Sequence, residues 1–127
     1  MIIALLAILY LTSPQAYEQL SIINYADLSA KQNQIDSDYF RMLISCESSF
    51  KIDAAGDWRL EDQIYLSHGL FQFQKPTFYH YAKIYNITGE WKNPYSQISL
   101  AALMIKDGLW YKWYNCGKRV GYDKLYE

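Results

Sequence analysis

No part of the chain is strongly basic. Twelve Lys and Arg stand against thirteen Asp and Glu, for a net charge of −1. Lys118, Arg119 and Lys124 near the end are too few to make the positive surface that nucleic acid requires. Metal-binding patterns are missing as well. His68 and His80 each lack a second ligand at metal spacing and read as polar loop residues. Asp53, Asp57, Glu61 and Asp62 do not follow the order of a calcium-binding EF-hand loop. No metal and no cofactor are therefore expected. There is no internal repeat and no low-complexity linker, so 127 residues make one small domain. The longest apolar run, Ile2 to Leu11, is too short to span a bilayer.

That run has the length of the apolar part of an export signal. Thr12, Ser13, Pro14, Gln15 and Ala16 follow as a polar, small-residue exit, so residues 1–16 read as a signal peptide with cleavage after Ala16. No Lys or Arg precedes the run, and Pro14 is a poor residue so close to the scissile bond. An uncleaved membrane anchor is therefore the alternative. Residues 17–35 are a spacer or an N-terminal helix, and residues 36–127 the main domain. Cys46 and Cys116 are the only cysteines. In an exported chain they are expected to pair, which closes most of the domain and contributes about 2–4 kcal/mol. Two buried thiols in a reduced compartment are the alternative, which the leader disfavours.

What the chain has in excess is aromatic side chains: 13 Tyr, 4 Trp and 5 Phe. Flat rings with polar edges suit the faces of sugars, although most of these Tyr are read as filling a small core and its rim. Asp36, Ser37 and Asp38 mark a helix start. Tyr39, Met42, Leu43 and Cys46 then form an apolar stripe, with Phe40, Ile44 and Glu47 on its flank. The helix is expected to end near Ser48 or Ser49. Residues 51–68 lose the helical period, and the alternation of Trp58, Leu60, Ile64 and Leu66 predicts a small hairpin or irregular lobe. Gly69, Leu70, Phe71 and Gln72 open the next element, with Leu70 and Phe71 inward and the Gln72 amide toward a cleft. Pro76 fits a first helical turn. Ser96 can cap a further helix whose stripe is Ile98, Ala101, Ala102 and Ile105, and Gly108 can stop it. The sum is a mainly α domain with a minor β or irregular lobe beside Glu47.

Glu47 is the strongest candidate for chemistry. A carboxyl at the end of an apolar helix is partly desolvated, which raises its pKa and keeps it protonated near neutral pH. A general acid that cleaves a glycosidic bond needs that state.

Several short motifs together resemble the lytic transglycosylase and goose-type lysozyme superfamily. They are Glu47-Ser48 with Ser49-Phe50, then Gly69-Leu70-Phe71-Gln72, then Asn93-Pro94 with Gln97 and the Ala101-Ala102 helix. The order is similar to a soluble lytic transglycosylase (SLT) domain. Cys46-Glu47-Ser48 with Trp113-Tyr114-Asn115-Cys116 resembles the cysteine arrangement of resuscitation-promoting factors. In a competing match, Tyr114-Asn115 corresponds to the transglycosylase alanine–tyrosine–asparagine motif, with Trp113 in place of the alanine. The resemblance covers roughly residues 36–117.

It implies an α+β lysozyme-like fold and cleavage of the β-1,4 bond between N-acetylmuramic acid and N-acetylglucosamine, with Glu47 as catalytic acid and base. It also implies a secreted or envelope enzyme, working as a monomer on peptidoglycan strands. Substrate contacts would come from Ser48, Phe71, Gln72 and Tyr114; Ser48 would otherwise orient the helix end or the glutamate, and Tyr114 would line the cleft or bond the acid. Goose-type lysozymes would place an acid shortly after Gln72, where this chain has Phe73, Gln74 and Lys75. That departure favours an anhydro-forming transglycosylase over a hydrolase. A non-catalytic glycan-binding module on the same fold is the further alternative.

Overall fold

The computed structural model describes residues 13–126. The leader assigned to residues 1–16 therefore lies, except for residues 13–16, outside the described part. Helix α1, Pro14–Gln32, starts where the Ser13 hydroxyl accepts a bond from the Ala16 amide and Pro14 fills the first turn. Its Ile22, Ala26 and Ala30 are buried, and it packs against the next helix and against the helix at Pro94–Lys106.

Helix α2, Ser37–Ser48, is capped by the Asp36 carboxylate, which accepts from the Tyr39 amide at 3.0 Å. Its buried face is Phe40, Leu43, Ile44 and Ser48. Met42, expected in the stripe, is exposed. The inward face is centred on Phe40, Leu43 and Ile44 at i, i+3, i+4 spacing, which turns Met42 to solvent. Glu47, three residues after Ile44, stands at the edge of that face. The helix stops because Ser49 and Phe50 take left-handed conformations, φ 53° and 60°.

The expected lobe is an antiparallel sheet in the order β1–β2–β3. Its strands are β1 (Ala55–Arg59), β2 (Ile64–His68) and β3 (Phe73–Gln74). Gly56 opposes Ser67 and Trp58 opposes Tyr65 in the β1–β2 hairpin. His68, expected in a loop, is the last residue of β2. Helix α3, Lys75–Tyr85, follows with Pro76 in its first turn and Phe78 and Ala82 buried.

Helix α4, Pro94–Lys106, is the central element. Gln97, Ile98, Leu100, Ala101, Ala102, Met104 and Ile105 are all buried. Its cap is Asn93 and not Ser96. The Asn93 carboxamide oxygen accepts from the Tyr95 and Ser96 amides, and Pro94 at the first position needs no donor partner. A 3-10 segment, Leu109–Trp113, leads into α5, Tyr114–Val120, and α6, Tyr122–Leu125. Cys46 and Cys116 are disulfide-bonded with their Cα atoms 5.8 Å apart, which ties the end of α2 to α5. Among the described residues no helix is long and apolar enough to cross a membrane.

Candidate active-site cleft

A cleft of about 570 Å³ opens between the sheet and the C-terminal helices, and Glu47 stands in its wall. The last turn of α2 holds the side chain half-buried. Burial, and after it the negative charge of Asp57, together raise its pKa from 4.5 to about 7. The proton is thus shared almost evenly between bound and free at neutral pH. A carboxyl in that state can give a proton to a bridging oxygen and take one back.

Asp57 lines the same cleft. Strict alternation along β1 would send it to the face opposite Gly56 and Trp58. Its backbone instead takes a left-handed conformation, φ 54°, and its carboxylate accepts a hydrogen bond from the Ser67 hydroxyl across the hairpin. The other three acids of the region take no part: Asp62 pairs with Arg59, and neither Asp53 nor Glu61 lines the cleft.

The turn at residues 69–72 brings Gln72 into the cleft lining. Gly69 has φ +84°, and a Cβ there would come within 2.5 Å of the Gln97 amide nitrogen, so only glycine fits. Gln97 is fully buried and clips the turn in place. Its Oε1 accepts from the Phe71 amide at 3.0 Å, and its Nε2 donates to the carbonyls of His68 and Trp91, each at 2.8 Å. Gln72 reaches the cleft with φ 51°. Its Nε2 donates to the carbonyls of Ala54 and Gly69, which leaves Oε1 to accept from a ligand. A Cβ on Gly56 would fall 2.3 Å from that oxygen.

Two expected substrate contacts are corrected by burial. Phe71 is 0% exposed and packs among Phe40, Phe73 and Trp113. Its ring cannot meet a ligand; its role is in the core beneath the turn. Ser48 is also buried, and its hydroxyl donates to the Ile44 carbonyl inside α2, so it serves the helix end. Tyr114, by contrast, lines the cleft. Its hydroxyl accepts from Lys118 at 3.4 Å, and the acid is not its partner. Asn115 lines the cleft beside it, while Cys116 carries the bridge. The residues of the two competing motif matches are thus adjacent, one carrying the bridge and two lining the cleft.

Three cleft features escaped the sequence. Ser67 carries no signal beyond its place before His68-Gly69. Lys112 also lines the cleft while its ammonium lies near the rings of Tyr81 and Tyr111, at 5.8 and 5.5 Å. The aromatic run around Lys112 hides it. The clip formed by Gln97 could have been sought as a buried amide on an otherwise apolar helix. Among the described residues no group of three or more His, Cys, Asp or Glu converges in a metal-binding cluster.

The model of the transglycosylase SLT domain matches residues 24–119, a span that runs from within α1 through most of α5. No curated protein and no solved structure matches the chain. With the matched span covering three quarters of the sequence and holding every cleft residue named above, the chain belongs to the transglycosylase SLT domain family.

Proposed function

We propose that the chain is an exported peptidoglycan lytic transglycosylase, acting as a monomer on the bond between N-acetylmuramic acid and N-acetylglucosamine. The observation that carries this reading is Glu47, half-buried in the cleft wall with its pKa lifted to about 7. Protonated Glu47 gives its proton to the glycosidic oxygen as the bond from that oxygen to the anomeric carbon breaks. The N-acetyl oxygen of the substrate stabilises the positive charge left on the sugar. Glu47, now a carboxylate, takes the proton of the sugar's own 6-hydroxyl, whose oxygen attacks the anomeric carbon. The product is a 1,6-anhydro ring, and Glu47 is again protonated. The Cys46–Cys116 bridge supports an oxidising compartment.

A second reading, hydrolysis of the same bond, is favoured by Asp57. Its carboxylate shares the cleft with Glu47 and is fixed by Ser67, so it could stabilise the cationic sugar or orient a water molecule. Mass analysis of the fragments released from peptidoglycan separates the two. Anhydro-muropeptides are expected; reducing ends would establish the hydrolase, and no soluble fragments would sink both.

A further inference from the structure

The β1–β2 hairpin continues beyond the cleft, and one of its faces carries an unusual pair. Ser67 on β2 lines the cleft. Tyr65 lies two residues earlier on the same strand, so it shares the face of Ser67 and stands about 7 Å further out. Trp58 is the directly opposed partner of Tyr65 on β1, and the two rings pack with centroids 4.9 Å apart. Neither ring fills the core: Trp58 is 52% exposed and Tyr65 54%. Large aromatic surface left in water is unfavourable, and here it extends the wall that holds Ser67 and Asp57.

We propose that Trp58 and Tyr65 form a stacking platform for a sugar ring of the glycan strand, one subsite beyond the cleft. This rests on the glycan reading above. A pyranose presents a flat C–H face to an aromatic ring and hydroxyls to its rim, where the indole N–H and the phenol hydroxyl stand. Continuity of the face with the cleft wall selects the strand as occupant. The hairpin turn argues against the flat alternatives. Arg59, Glu61 and Asp62 are exposed there, and a bilayer or a broad protein surface would strip their water, whereas a stacked sugar leaves them solvated. The platform would make the enzyme prefer long strands over short fragments.

The test uses the full chain carrying Glu47→Gln, so that ligand is bound and not consumed, with chitooligosaccharides of short and long chain length as probes. The long ligand is expected to bind more tightly than the short one. Trp58→Ala or Tyr65→Ala should remove roughly two- to ten-fold of that preference, while Leu60→Ala, at the exposed tip of the same hairpin, should keep it. Unchanged length preference in both aromatic variants overturns the proposal. So does a change in oligomeric state by light scattering with sugar affinity intact, which would make the pair a contact between copies. Turnover of purified glycan strands by the unsubstituted chain is measured in parallel. A chain inert on strands that still shows platform-dependent binding supports the subsite and overturns the catalytic reading. Failure to bind either ligand, with turnover of strands intact, overturns the platform and leaves the catalytic reading standing; failure of both binding and turnover overturns both.

Discussion

At the scale of single residues, the proposed chemistry depends on why Glu47 keeps its proton. Its helix turn removes water from the carboxyl, and Asp57 adds a like charge; both penalise the ionised form. The pH dependence follows. The proposed cleavage needs protonated Glu47, so kcat/KM should fall as pH rises through about 7. In Asp57→Asn, which removes the charge, this limb should move to lower pH; a limb that stays in place would separate Asp57 from the acid. Glu47→Gln should lower kcat by about 10²–10⁴-fold. The effect on stability has the opposite sign. The carboxyl holds its proton more tightly when folded, at about 7, than its ordinary value of 4.5, so the folded state binds more protons across that window. Stability of the unsubstituted chain must then decline as pH rises from about 4.5 to 7. The Gln variant lacks this titration. Its melting temperature should meet or exceed that of the parent at pH 7 and above, and the gap should close in acid. Glu47 was legible because an acid ends an apolar helix. The role of Asp57 was not, since it depends on a left-handed backbone that nothing in its neighbours distinguishes from Asp53 or Asp62.

At the scale of elements, hydrophobic period located α2 and α4 but not their exact facing, and it gave no sign of the short α5 and α6. The stripe through Met42 differs from the buried face through Phe40 and Ile44 by a fraction of a turn. Only the positions of α1 and α5 against α2 decide which edge is covered. Phe71 was read in two ways, inward-facing from its residue type and a substrate contact from the family motif. The cage of Phe40, Phe73 and Trp113 bears out the first and overturns the second. The disulfide was legible from cysteine count and leader, and it joins the residue before Glu47 to the helix that carries Tyr114 and Asn115. Reduction should therefore act on both stability and activity. Removing a link that closes a loop with a separation of 70 residues should cost about 2–4 kcal/mol, roughly 10 °C in melting temperature for a domain of this size. Scanning calorimetry with and without reductant measures it. An unchanged melting temperature would mean that the link constrains little in the unfolded chain.

For the molecule as a whole, the question is how much chain the cleft requires. Motifs alone span roughly residues 36–117, which makes α1 look dispensable. The packing argues otherwise. Ile22, Ala26 and Ala30 are buried against α2 and α4, and Tyr25 and Ser21 bond Ser99 and Tyr95 on α4. Helix α4 is buried on nearly every side, and α1 covers one of them. Uncovering the site of Ile22 alone costs about 1.5–3 kcal/mol, and the rest of the helix adds to that, against a total stability of about 5–15 kcal/mol for a small domain. A chain beginning at residue 36 should therefore lose its cooperative thermal transition, or melt far below the chain beginning at residue 13, and should lose activity with it because Gln97 on α4 clips the turn that brings Gln72 into the cleft lining. Circular dichroism melts of the two chains decide this. If the shorter chain melts cooperatively at the same temperature, α1 is an appendage and the cleft is built by the remaining helices and the sheet alone.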